Sequence, residues 1–311
     1  MAAIVKVIPS GHEFFVDGTE SILEASLRAG LHFNYGCASG NCGSCKARVV
    51  KGEVWKVREH DYLLSSVEQR MGYMLSCCNT AVTDVVLEAP EAFSPADLPL
   101  QEIRASLHKI LPLTEDQMRV LVQTPRTQTL RFLAGQKARL TLESGQSKEL
   151  HIASCPCDGR NLQFIVSGKP HDPFSHLVFN KSMTKQTVMV EGPTGSFVLQ
   201  EDSTAPAVFM AKGEGFAPIK SLVEQAITID NAEGLQLINV GGNPPGSSLD
   251  TLCRSWNDSL DNFVYSDLAA TTTASELAEV LAISLAGTSK ADVYLAGPEG
   301  WLQSLIETAR A

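Results

Sequence analysis

A chain of 311 residues exceeds what one ordinary hydrophobic core organises and suits two or three domains. With 44% hydrophobic and 19% charged residues and no low-complexity tract, it has enough apolar mass for a core in each. The formal charge of −10 argues against nucleic acid or an anionic membrane as the main partner, because phosphate attraction needs clustered Lys and Arg.

The N-terminal text MAAIVKVIPSGHEFFVDG has no basic region followed by an apolar stretch, and no run approaches the roughly 18 apolar residues of a membrane span, so the expected compartment is the cytoplasm. Alternation predicts strands near 3–8 and 13–16, followed by a helix over 21–29 and a strand from Cys45 to Val50. Between them residues 35–45 read YGCASGNCGSC, a C-x4-C-x2-C pattern, with a further cysteine at Cys77 in GYMLSCCN. This spacing is that of plant-type two-iron, two-sulfur ferredoxins, with Cys37, Cys42, Cys45 and Cys77 as ligands. Each iron needs two thiolates beside the bridging sulfides. Gly36, Gly40 and Gly43 let one loop curl to supply three of them, and Ala38, Ser39 and Ser44 let backbone amides approach the sulfurs. Structural zinc favours paired C-x2-C motifs, and only one such pair is present. Cys77 is preferred over Cys78 as the fourth ligand, and Cys78 is read as a packed neighbour.

Residues 1–91 therefore resemble a β-grasp ferredoxin domain, and the proline- and acid-rich text of 92–101 reads as a linker. Over 102–202, runs such as MRVLVQT, KARLTL, LHIAS, LQFIVSG and TVMVEG predict an antiparallel barrel. From 203 to 311 strands alternate with helices: AVFMA, a helix near 217–229, LQLINV, a helix near 275–286, DVYLAG and a helix over 300–310. That rhythm predicts a parallel sheet covered by helices. The fold class is multidomain α+β.

This domain order, with AGQ at 134–136, IAS at 152–154, EGPTGSF at 191–197, GEGFAP at 213–218 and YLAGPEG at 294–300, resembles the ferredoxin-NADP reductase superfamily. Within it the chain is similar to reductase components of bacterial oxygenases and to deoxysugar reductases of the CDP-glucoseen type. The resemblance implies electron transfer from NADH through FAD and the cluster to a protein acceptor, an oxygenase or hydroxylase. The flavin would act as the two-to-one electron converter.

The motifs depart from the family's. Its flavin motif of Arg, any residue, aromatic, then Ser or Thr aligns with Lys148, Glu149, Leu150 and His151. Lys148 can replace a bidentate Arg on the pyrophosphate only as a point charge, Leu150 cannot stack as an aromatic does, and His151 could donate to flavin N5. Lys137 follows the Gly-Gln where the family often has an aromatic, whereas Ser175 in DPFSHL matches the position that touches pyrophosphate. The nucleotide-binding turn appears as Gly213, Glu214, Gly215, Phe216, Ala217, Pro218, with a carboxylate expected to repel a dinucleotide phosphate. The last turn is Ala296, Gly297, Pro298 in place of Cys-Gly-Pro, and the text 241–250 carries no Arg or Lys for a 2′-phosphate, which favours NADH.

Two readings follow. In one, substituted residues still serve FAD and NADH. In the other, the chain is a ferredoxin-type carrier whose reductase-like domains have lost that chemistry and serve docking or regulation. Cys155 and Cys157 are expected to be unligated thiols, Cys253 is isolated, and the remaining histidines show no metal-ligand spacing. Trp55, Trp256 and Trp301 are expected to fill cores. No catalytic acid or base is identified.

Overall fold

The protein is described from a computed structural model covering residues 2–168, 171–180, 186–241 and 247–310. The N-terminal unit contains β1 (Ala2–Ile8), β2 (Glu13–Asp17), α1 (Ile22–Arg28), β3 (Lys46–Lys51), β4 (Val54–Lys56), α2 (Ser66–Arg70), β5 (Tyr73–Leu75), β6 (Asn79–Ala81) and β7 (Val85–Glu88). Strict alternation along β1 turns Ala3, Val5 and Val7 inward, and β2 adds Phe14 and Val16. The sheet runs β2-β1-β7-β3-β5 with β1 and β7 parallel, while β4 and β6 form a separate ribbon. Ser21 and Glu24 form a reciprocal capping box that starts α1 and lays Ile22, Leu23 and Ala25 on the sheet.

The second unit is a six-stranded antiparallel sheet in the order β11-β10-β13-β8-β9-β12. Its strands are β8 (Gln101–Pro112), β9 (Gln117–Gln123), β10 (Lys137–Leu142), β11 (Ser147–His151), β12 (Asn161–Ser167) and β13 (Thr187–Thr194). The two end strands meet through a bridge between Ile152 and Phe164, which brings the barrel close to closure. The short helix α3 (Pro173–Phe179) packs Phe174 and Val178 into the barrel core. Strand β8 was not among the expected elements. Ile103, Ala105 and Leu107 do alternate with polar residues, but a register shift between Leu107 and Lys109 breaks the phase halfway.

The third unit is a parallel sheet, β16-β15-β14-β17. It runs β14 (Ala207–Lys212), α4 (Phe216–Ile229), β15 (Leu235–Val240), α5 (Ser248–Ser259), β16 (Phe263–Leu268), α6 (Ala274–Ser284), β17 (Asp292–Ala296) and α7 (Glu299–Arg310). Central β14 is buried from Ala207 to Ala211 because helices cover both faces. Helix α5 and edge strand β16 were not expected. α5 buries only Leu249, Asp250 and Cys253, and β16 is fully buried only at Phe263, so each shows a thin apolar signal.

The connection over 92–101 is seated against the protein. Ala92 and Leu98 form a small core with Leu133, and a 3-10 turn at Pro95–Asp97 is tied by Asp97 to the Phe93 and Ser94 amides. Trp55, expected in a core, is 69% exposed on β4, because a two-stranded ribbon has an outer face with nothing packed over it. Among the described residues no helix is long and apolar enough to cross a membrane.

Candidate functional site

The loop between α1 and β3 curls back on itself through positive φ angles at Ala38, Gly40 and Gly43. Its amides point at sulfur. Cys37 Sγ accepts from the amides of Ser39 (3.4 Å), Asn41 (3.3 Å) and Cys42 (3.4 Å), and Cys42 Sγ accepts from the amides of Cys37 and Ser44, both at 3.4 Å. Cys37 and Cys42 thus exchange reciprocal N–H···S bonds. Cys45 Sγ lies 3.0 Å from Cys77 Sγ, and Cys78 Sγ, also buried, stands 3.5 Å from Cys77 Sγ. Cys37, Cys45 and Cys77 are buried, whereas Cys42 is exposed.

The electrostatics favour thiolate. Burial alone would raise the Cys37 thiol, but the hydrogen bonds from Ser39, Asn41 and Cys42 outweigh it and bring it down to about 6. The close contact with Cys77 Sγ brings the Cys45 thiol down to about 7, and the same contact pushes the Cys77 thiol up. Among the described residues no group of three or more His, Cys, Asp and Glu converges as a single-ion site. Two sulfur pairs, each with lowered proton affinity on one member and amides aimed at the loop pair, suit a cluster in which each iron takes two thiolates. The residues present fit that group.

A second concave site lies between the barrel and the parallel sheet. It is a cavity of about 780 Å³, and His151, Gly215, Pro218, Ala296, Gly297 and Pro298 of the expected positions line it, with Lys137 and Glu214. His151, at the end of β11, holds its Nδ1 2.8 Å from the Gly135 carbonyl, which can only accept, so Nδ1 carries the proton. Burial pushes its pKa down and keeps the ring neutral near pH 7, leaving Nε2 as an acceptor, so the ring cannot donate to flavin N5 as the sequence suggests. Phe197 stands edge-on to His151, its centroid 6.5 Å away. Gly215 is compelled to be glycine by close approach, since a Cβ there would strike the Ala296 carbonyl. Gly213 precedes this turn with φ +59° but does not line the cavity.

The other expected flavin positions lie elsewhere. Leu150 turns into the barrel core at 7% exposure. Lys148 and Ser175 meet each other at the start of α3, with Lys148 Nζ 3.0 Å from Ser175 Oγ. Both meet a carboxylate that the sequence reading did not single out. Asp172 Oδ2 accepts from Lys148 Nζ at 2.6 Å and from Ser175 Oγ at 2.6 Å, and its Oδ1 accepts from the Phe174 amide at 3.0 Å. Burial alone would raise the Asp172 carboxyl, yet Lys148 and Ser175 hold it down at about 2. The phosphate-type donors are therefore present but already engaged. The cavity has the volume of a small-molecule cofactor site, and Lys148 and Ser175, engaged by Asp172, lie outside its lining. Residues 242–246, half of the text read as favouring NADH, lie outside the described residues.

Cys155 and Cys157 depart from expectation: they form a disulfide. The 3-10 turn Pro156–Asp158 brings their Cα atoms to 5.2 Å, and spacing alone did not reveal that turn.

The barrel links the two sites. Thr129 donates from its hydroxyl (2.8 Å) and its amide (3.2 Å) to the Gly36 carbonyl beside Cys37, and the chain from Thr129 runs on to Gly135, which touches His151. Arg131 Nη1 also donates to Asn34 Oδ1 at 2.6 Å. On the other side α4 reaches the ferredoxin unit, with Gln225 Nε2 donating to the Gly30 carbonyl at 3.0 Å.

Comparison with known proteins agrees with this architecture. Residues 5–82 match the model of the 2Fe-2S iron-sulfur cluster binding domain. The chain is 35% identical over 227 residues to CDP-6-deoxy-L-threo-D-glycero-4-hexulose-3-dehydrase reductase of Yersinia pestis, covering 73% of this chain and 68% of that protein. It is 28% identical over 252 residues to reductase component 1 of terephthalate 1,2-dioxygenase from Comamonas sp, covering 79% and 72%. In fold it is similar to an Amycolatopsis cytochrome P450 reductase, with a TM-score of 0.59 at 21% identity over 99% of this chain and 94% of that one. The chain belongs to the iron–sulfur reductase family that includes the CDP-6-deoxyhexulose dehydrase reductases and the oxygenase reductase components, oxidoreductases that join a two-iron, two-sulfur ferredoxin domain to a body of ferredoxin-NADP reductase fold.

Proposed function

We propose that the chain is an NADH-dependent reductase that passes electrons to a partner oxygenase or hydroxylase, with Cys37, Cys42, Cys45 and Cys77 as cluster ligands and FAD held at the cavity around His151. The observation that carries this reading is the four-cysteine cradle, joined by Thr129–Gly135 to that cavity. Bound FAD supplies conversion of a two-electron donor to one-electron steps, and the cluster supplies the one-electron exit.

The chain's own residues bind, orient and insulate. Amides from Cys37 to Ser44 stabilise negative charge on the sulfurs. His151, with its Nδ1 proton committed to Gly135, offers Nε2 as a fixed acceptor. Gly215, Ala296 and Gly297 keep the cavity floor free of bulk for a nicotinamide ring. Exposed Cys42, and exposed Leu63, Val67 and Met71 on and beside α2, suit the face where a protein acceptor docks. Residues 1–91, 92–101, 102–202 and 203–311 act in this reading as ferredoxin domain, linker, FAD-type barrel and NAD-type domain. It assigns the protein to the cytoplasm, where NADH is available.

The engagement of Lys148 and Ser175 by Asp172 favours a second reading, a ferredoxin carrier whose body no longer retains flavin. The test is flavin released from anaerobically purified protein, measured against iron, together with NADH-driven reduction of cytochrome c. About one FAD per two irons, with turnover, supports the first reading. Two irons without flavin, unchanged after incubation with FAD and with no NADH-driven turnover, supports the second.

A further inference from the structure

The Asp172 carboxylate draws on three donors at once: an ammonium, a hydroxyl and a backbone amide. Ser175 is 1% exposed and the Lys148 side chain 17% exposed, so neither has much solvent to turn to instead. A phosphate arriving at Lys148 must displace the carboxylate or share the cation with it, and either course sets two anions within a few ångströms of each other. Asp172 is also bound to its place, because Oδ1 caps Phe174 while Oδ2 meets Lys148 and Ser175.

We infer that Asp172 is an affinity-setting residue: its carboxylate occupies, from within the chain, the place of a flavin phosphate at Lys148 and Ser175, so that phosphorylated flavins bind loosely and exchange. This rests on the reading that the cavity at His151 takes flavin and that Lys148 and Ser175 face its phosphate. It goes further in saying which residue sets the affinity and which part of the ligand is disfavoured. The isoalloxazine end, held apart from Asp172 at the separate cavity, carries no such opposition. The chain should therefore discriminate little between riboflavin and its phosphorylated forms.

The substitution Asp172→Asn isolates the charge. The amide oxygen still caps the Phe174 amide, asparagine being a favoured N-cap, while Lys148 loses its counter-ion. Full-length protein, with its iron–sulfur absorption checked in every variant, is titrated with riboflavin, FMN and FAD, and quenching of flavin fluorescence is followed. Asp172→Asn should tighten FMN and FAD by at least about tenfold while riboflavin stays within about twofold, and Lys148→Gln added to it should abolish the gain. Unchanged FAD and FMN affinity in Asp172→Asn, with riboflavin still bound, would overturn the inference and leave the flavin site standing. An equal gain for riboflavin would overturn it too, since the effect would then not run through phosphate. Failure of all three flavins to bind either protein would remove both the flavin reading and the inference built on it.

Discussion

Gly40 and Gly11 form a natural controlled pair. Their φ angles are +84° and +86°, but a Cβ on Gly11 would meet nothing within 4 Å, whereas one on Gly40 would lie 2.7 Å from Cys78 Sγ and collide with His60 Cβ. Gly11→Ala therefore carries only the left-handed backbone cost, about 1–2 kcal/mol. Gly40→Ala adds overpacking of about 1–3 kcal/mol, because the atoms it strikes sit close to the backbone and cannot swing aside. The expected total at Gly40 is about 2–5 kcal/mol, felt where the cysteine loop meets Cys78. The assay is urea unfolding of each variant, followed by iron–sulfur absorption in the visible and by circular dichroism. Gly11→Ala should shift the midpoint modestly and keep full iron content; Gly40→Ala should shift it further and lower the iron content as well. Equal midpoints for the two variants would refute the claim that Gly40 is glycine to admit Cys78 and His60.

Cys42→Ser should remove the iron–sulfur absorption in either reading of the body, and a variant retaining it in full would overturn the ligand assignment. Thr129→Val keeps the amide bond to Gly36 but deletes the hydroxyl bond, so it should lower the stability of the docked ferredoxin unit by about 1 kcal/mol, read as an earlier loss of visible absorption in urea. Asp172 has its carboxyl held at about 2, below its ordinary value of 3.8, so the bond to Lys148 stabilises the fold fully above about pH 4 and is lost as pH falls towards 2. Asp172→Asn should flatten the dependence of the urea midpoint on pH across that window, and an unchanged slope would contradict it.

The cysteine loop was legible because three of its four thiols lie within nine residues and the glycines that curl it are in the same text. Most barrel strands and the alternation of the last unit were legible for a similar reason: each carries its apolar period within a few residues. β8 was obscured where its register slips at Leu107–Lys109, and α5 and β16 because each buries too little to show a stripe. The candidate flavin positions were found one at a time, and distance along the chain hid how they divide. His151 and Pro298 share a cavity, Leu150 joins a core, and Lys148 and Ser175 meet at α3. Asp172 was visible as a letter beside Ser175, but nothing local says that β11 brings Lys148 against it. The Cys155–Cys157 bond depends on a single 3-10 turn, and the exposure of Trp55 on a ribbon having no layer above it; neither is a periodic property.

The seat of the ferredoxin unit has a consequence for traffic. Gly30 sits so tightly on α4 that a Cβ would come within 2.8 Å of Ile229, His32 pairs with Glu201 at 2.8 Å, and Gly36 leans on Thr129. A free carrier shuttles, offering one patch first to its donor and then to its acceptor. Here the inward patch is engaged by the chain's own body, which leaves the opposite side of the same small domain for delivery. Such a unit need not let go of one partner before meeting the next: it works as a fixed relay station, and turnover is freed from the diffusion of a go-between.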